Sequence, residues 1–180
     1  KKGPFNKLDW ADEVNRNGYV TYDEALYYRA LYCMDKLCQA GDVDGERYRL
    51  AAQKVKNSIN DILWDEQKGY YVNYVDGDFI EDNLSVDTVL VYLFGISNEV
   101  RSNRMLDAME NLLETKNNQL QEAGDYGVMC VYPFYKGVYS SYGKSSQDYE
   151  YHNGGNWPYW SAIYAYAKFL AGREWRYALE

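Results

Sequence analysis

The stretch TYDEALYYRALYCMDKLCQAG, Thr21 to Gly41, decides how the rest of the chain is read. Thr21 and Glu24 have the spacing of a capping box, in which a hydroxyl and a carboxylate satisfy free amides at a helix start. Leu26, Ala30, Met34 and Leu37 then recur at helical spacing and mark one face, and Gly41 supplies a stop. Outward from there, a second helix begins after Asp44, carries Tyr48, Ala52, Val55, Ile59 and Leu63 on its buried side, and ends at Trp64. Gly69 turns the chain into a short extended segment. The two helices read as a hairpin.

The pattern recurs downstream. Ser85 caps a helix carrying Val89, Leu90, Leu93 and Phe94 and closed by Gly95, and Asn98 caps one carrying Met105, Met109, Leu112 and Leu113. From Thr115 to Asn156 helical periodicity is weak, and a connection this long in a compact domain carries function, disorder or local structure. Within it GVMCVYPFY, residues 127–135, reads as a short strand or a buried connection. Pro158 then stands at a favoured first-turn position, before Trp160, Ile163, Tyr164, Ala167, Leu170 and the stop at Gly172. A sixth helix starts near Arg173 and runs to Glu180. The expectation is an all-α fold, about three helical hairpins in a single domain over residues 1–180.

Composition narrows the function. A net charge of -8 argues against nucleic acid and anionic membrane surfaces as partners. No apolar run approaches the roughly 20 residues that span a bilayer, and no signal peptide is visible. Cys33, Cys38 and Cys130 are an odd set without metal-ligand spacing; they read as reduced thiols, hence a cytoplasmic setting. No cofactor motif is present, and the Asp42–Glu46 loop lacks the further oxygen ligands a calcium site needs. Neither a cofactor nor a metal is expected. The 21 tyrosines combine an apolar face with a polar tip, which suits either a helical core or the lining of a wet cleft.

Two stretches carry chemistry. YHNGGNWPYW, residues 151–160, holds the chain's one histidine, a glycine pair and two tryptophans at a loop-to-helix junction. Gly154 and Gly155 let backbone approach a ligand closely, His152 and Asn153 offer hydrogen bonds to sugar hydroxyls, and Trp157, Tyr159 and Trp160 offer faces to a pyranose. The same tryptophans could equally pack the helix start. LDWADE, residues 8–13, gathers Asp9, Asp12 and Glu13 around Trp10. Acids before a helix are favourable for electrostatic reasons alone. Asp87 in SVDTV and Tyr132 in VYPFY are lesser candidates, with helix-end and core readings of their own.

These residues resemble a known group. LDWADEVNRNGYVTYDEALYYRAL is similar to the acid-bearing segment of glucoamylase-type enzymes, and its DWAD resembles the DWND of cellobiose-type phosphorylases. WDEQKGYY, SVDTVLVYLFGI and GVMCVYPFY follow in the order seen in six-hairpin glycosidases. YHNGGNWPYW resembles the loop of glycogen-debranching, amylo-glucosidase-like proteins and of alkaline invertases. The resemblance touches nearly the whole chain. It implies an (α/α)6 toroid, of which 180 residues supply about half, since twelve helices need more than roughly 300 residues. The missing hairpins, or self-association through the exposed inner faces, would complete it.

The resemblance also implies roles. Asp12 falls at the general acid of an inverting glycoside hydrolase acting on α-glucosides or related oligosaccharides, with Asp9, Trp10, Glu13, His152, Asn153, Gly154, Gly155 and Trp157 binding substrate. Such an acid needs its pKa raised by an apolar wall or a neighbouring carboxylate. The water-activating carboxylate is expected beyond Glu180, Glu150 being a poor local substitute. A glycoside phosphorylase of the same fold would need a phosphate pocket from His152 with Arg16 or Arg29. A non-catalytic helical domain that binds a glycan or a protein is the third reading, weakened by the absence of a fixed repeat length.

Overall fold

The computed structural model describes residues 9–135 and 147–179. Helices α1 (Thr21–Ala40) and α2 (Glu46–Ile62) form the expected hairpin, followed by a run of short strands. These are β2 (Trp64–Asp65), β3 (Tyr70–Tyr71), β4 (Tyr74–Asp76), β5 (Phe79–Glu81) and β6 (Leu84–Ser85), with β1 (Tyr19–Val20) preceding α1. A 3-10 turn, Val86–Thr88, leads into the short helix α3 (Val89–Leu93), and α4 (Glu99–Leu112) follows. Strand β7 (Val131–Tyr132), helix α5 (Pro158–Leu170) and a second 3-10 turn (Arg176–Leu179) complete the described residues.

The all-α toroid expectation is overturned: the fold is mixed α/β, with three small antiparallel sheets ordered β1-β4-β5, β2-β3 and β6-β7. Strand signals were present in residues 70–85, where tyrosine, valine, isoleucine and phenylalanine cluster. Asp76 pairs with Phe79 across a two-residue Gly77-Asp78 turn, and Gly77 takes φ +63° there, as a tight hairpin requires. Strands of two or three residues are too short to show alternation, so helical periodicity dominated the reading.

Local capping explains which helices were placed correctly. The Asn98 side chain accepts from the Arg101 amide at 2.9 Å and starts α4, whose Met105 and Met109 are buried. Pro158 opens α5, which buries Trp160, Tyr164 and Ala167. Leu113 follows α4 in the same core as Ile59 and Leu63.

Helix α1 differs. Val20, not Thr21, is its N-cap, and the Thr21 hydroxyl donates to the Val72 carbonyl at 2.5 Å, pinning the helix start to the sheet. Pairing of Tyr19 with Val75 and Val20 with Tyr74 fixes the helix's rotation. As a result Ala25 and Tyr28 face the core, while Leu26, Met34 and Leu37 of the expected apolar face are exposed. Ser85 ends β6 and stands at the N-cap position of the 3-10 turn leading into α3, but its side chain makes no cap hydrogen bond, and α3 is only five residues long. The expected sixth helix is the 3-10 turn Arg176–Leu179, Glu180 lying outside the described residues. Of the long connection after Thr115, residues 136–146 also lie outside them.

The sheets matter because they tie remote segments together. Ser85 pairs with Val131, the Val86 amide donates to the Cys130 carbonyl at 2.8 Å, and the Cys130 amide donates to the Gly155 carbonyl at 3.0 Å. The turn holding Asp87 is thus linked by main-chain bonds to the loop holding His152.

Candidate functional site

Residues 9–16 form a compact turn in front of β1. The Ala11 amide donates to Asp9 Oδ1 at 2.7 Å, and the Val14 amide to the Ala11 carbonyl at 2.9 Å. Ala11 and Val14 are buried, which places the Asp12-Glu13 pair between two apolar anchors. Asp12 points outward with its side chain 52% exposed, whereas Glu13 Oε2 is buried with no hydrogen-bond partner among the described residues.

Beneath the turn lies a buried charge cluster. Arg16, 1% exposed, donates from Nε to Asp9 Oδ2 at 3.1 Å and from Nη1 to Asp87 Oδ2 at 2.6 Å. Burial opposes its charge, but Asp87 and Asp9 outweigh that and hold its pKa well above the ordinary value. Trp10 Nε1 also donates to Asp87 Oδ2 at 2.6 Å. Asn73 Oδ1 accepts from Arg16 Nη1 at 3.3 Å, and Asn73 Nδ2 donates to the Tyr135 hydroxyl at 2.7 Å. Burial raises Tyr135's pKa well above the usual tyrosine range, so it stays a neutral phenol.

The second stretch is held just as firmly. Tyr149, Tyr151 and Gly154 all take positive φ, an unusual density of strained backbone for six residues. Trp157 Nε1 donates to the Tyr151 carbonyl at 3.0 Å, and the Tyr126 hydroxyl to the Gly154 carbonyl at 2.9 Å. Gly154 sits where a Cβ would meet the Phe134 ring at 2.4 Å, and one on Gly155 would meet the Tyr151 carbonyl oxygen at 2.5 Å. Both glycines are therefore needed for close packing. Asn153 is buried, its side-chain oxygen accepting from the Tyr135 amide at 2.8 Å.

The two stretches meet at His152. Its Nε2 lies 3.0 Å from Asp12 Oδ1, joining residues 140 apart in sequence. The imidazole stacks on Trp157 (4.8 Å, 4° between planes) and meets the edge of Trp10 at 5.1 Å. Burial lowers its pKa from the ordinary value, although Asp12 pulls the other way, so the ring is neutral at pH 7. Tyr151 covers it at 4.1 Å. Tyr159, 45% exposed and within 6.4 Å of Trp10 and Trp157, is a ring in this cluster open to stacking.

The structure therefore brings Asp12, Trp10, His152 and Trp157 together, with Glu13 next to Asp12 in the same turn and His152 buried beneath the exposed Asp12 carboxyl. Asp9 and Asn153 are engaged by protein groups, and Gly154 and Gly155 serve the loop's packing. Arg16 is bound by two carboxylates, and Arg29 lies over Tyr32 and Phe94, so neither guanidinium sits free in a phosphate pocket with His152. Exposed Glu150 bridges to Asn153 within its own loop, and Tyr132 packs edge-on against Phe134. Arg16, Asn73 and Tyr135 carry the site's foundation without any local motif announcing it. Among the described residues no group of three or more metal-ligating side chains converges, and no helix is long and apolar enough to cross a membrane. Cys33 is exposed, Cys38 half-buried and Cys130 buried.

A family model described as amylo-alpha-1,6-glucosidase matches residues 6–179. No curated protein matches the sequence.

Proposed function

The chain belongs to the amylo-alpha-1,6-glucosidase family, and from that premise we propose that it is the acid-bearing part of an inverting glycoside hydrolase acting on α-linked glucosides. Asp12 protonates the departing glycosidic oxygen. One observation carries the reading: the 3.0 Å contact between Asp12 and His152, which unites the two candidate stretches at a half-exposed carboxyl.

The chemistry follows from that contact. A general acid delivers its proton to the bridging oxygen as the C–O bond breaks, while a second carboxylate activates water on the opposite face of the sugar. His152 Nε2, 3.0 Å from Asp12 Oδ1, holds the carboxyl at a fixed place beside the bond to be broken. Trp157 behind the imidazole and Tyr159 beside it shape an aromatic wall that suits the C–H face of a glucose ring. The family's name favours α-1,6-linked glucose as the leaving unit.

In the full-length enzyme, with the segment beyond Glu180 present, panose, which carries one α-1,6 bond, is the test substrate. Asp12→Asn is expected to lower kcat by about 10²–10⁴-fold with KM within a few-fold, because only the transition state receives the proton. Proton NMR of the first product should show β-glucose from the α-linked bond. Full activity in Asp12→Asn, or α-glucose appearing first, would overturn the reading.

A further inference from the structure

We propose that Asp87 is a positioning residue for the Asp12–His152 pair, acting through the indole of Trp10. Its place is the 3-10 turn Val86–Thr88, 1% exposed, away from any surface a sugar could touch. Its Oδ2 receives two donors at 2.6 Å, Trp10 Nε1 and Arg16 Nη1. The first bond sets the rotation of the indole. Trp10 then presents its ring at 82° to His152, 5.1 Å away, while Trp157 stacks flat on the same imidazole. A ring held by a face and an edge keeps its plane, and in that plane Nε2 lies 3.0 Å from Asp12 Oδ1. Arg16 pairs with the Asp87 carboxylate at 2.6 Å and holds it in place, its guanidinium 5.8 Å from the Trp10 ring centre. The main-chain link from Val86 through Cys130 to Gly155 holds the Asp87 turn and the His152 loop in fixed register, so the indole bridges two anchored pieces.

The inference rests on the reading of Asp12 as the acid, yet its test requires no turnover. His152 is the chain's sole histidine and is 1% exposed, so carbethoxylation by diethyl pyrocarbonate, followed by absorbance in the untagged chain, reports how often this one imidazole opens to solvent. Asp87→Asn should speed the reaction by about tenfold or more, the loss of one hydrogen bond to a charged group. Trp10→Phe removes the donor and should do the same. Combining the two should accelerate the reaction by less than the product of the single effects, since both delete the Trp10–Asp87 bond and Asp87→Asn alone also weakens the pair with Arg16. Asp9→Asn takes a charge from the same guanidinium without touching Trp10, and should leave the rate within about twofold. Equal acceleration in Asp9→Asn and Asp87→Asn would overturn the proposal, reducing Asp87 to a counter-ion. Unchanged rates in Asp87→Asn, or full additivity in the double variant, would do so as well. If Asp87→Asn does not fold, Trp10→Phe with an unchanged rate is the refuting result. A full-length enzyme, with the segment beyond Glu180 present, that fails to hydrolyse panose while these rates change as expected sinks the glycosidase reading and leaves the positioning role standing.

Discussion

Replacing Arg16 by methionine tests the buried charge cluster directly. The side chain is 1% exposed, and its partners Asp9 and Asp87 are 3% and 1% exposed at their side chains. Methionine fills much of the same volume without charge, so packing against Trp10 and Tyr22 is largely kept. The buried Asp87 carboxylate then loses its ion pair with Arg16, and Asp9 loses the same guanidinium. Removing one partner of a buried pair costs about 3–5 kcal/mol, because the remaining charge is uncompensated. Against a total stability of roughly 5–15 kcal/mol this is about a fifth or more. Equilibrium urea unfolding followed by tryptophan fluorescence should show the midpoint falling with the slope unchanged, and the melting temperature should drop by about 6–20 °C. Adding Asp9→Asn and Asp87→Asn to the methionine variant should recover a large part of the loss, since the three residues act as one unit. A cost below about 1 kcal/mol is what solvated surface pairs give, and would refute the cluster as a dry, interdependent core.

Two further outcomes follow from the loop. Gly154→Ala should destabilise by about 2–5 kcal/mol, from backbone strain at φ +105° and the clash with Phe134; Gly77→Ala, at φ +63° with nothing within 4 Å, should cost only about 1 kcal/mol, and equal losses in urea unfolding would refute the packing argument. His152 binds a proton less readily folded than unfolded, so its contribution to stability is complete above the unfolded pKa of about 6.5 and is lost as pH falls through the folded value. The stability-pH curve of His152→Gln should therefore be flatter below pH 6.5 than that of the wild type, and parallel curves would count against the buried neutral ring.

What could be read from sequence was what is encoded locally. Asn98 with the Arg101 amide, and Pro158 at the start of α5, are signals that need no distant partner, and both hold. The face of α1 could not be read this way. Ala25, Leu26, Tyr27, Tyr28, Ala30 and Leu31 leave the helix apolar nearly all round, and only the pairing of residues 19–20 with 74–75 chooses which side is covered. The hairpin at 74–81 did leave a trace in Asp76-Gly77, overridden by the weight given to helical periodicity. For the site, the residue types in DWADE and YHNGGNWPYW drew attention to His152 and Asp12, which do meet. Asp9 and Asn153 look the same on paper as sugar ligands, but their partners Arg16 and Tyr135 become visible only once the chain is folded. Arg16's other anion lies 71 residues away, and no spacing rule connects the two.

The relay from Val86 through Cys130 to Gly155 is made wholly of peptide groups. Replacing the buried Cys130 side chain by another small apolar one leaves each of its main-chain links available, so the path of the chain here depends less on the letter at 130 than on its size. Lineages can drift among such residues while inheriting an unchanged loop geometry, and a comparison that scores only matching letters will underrate how much two such chains share.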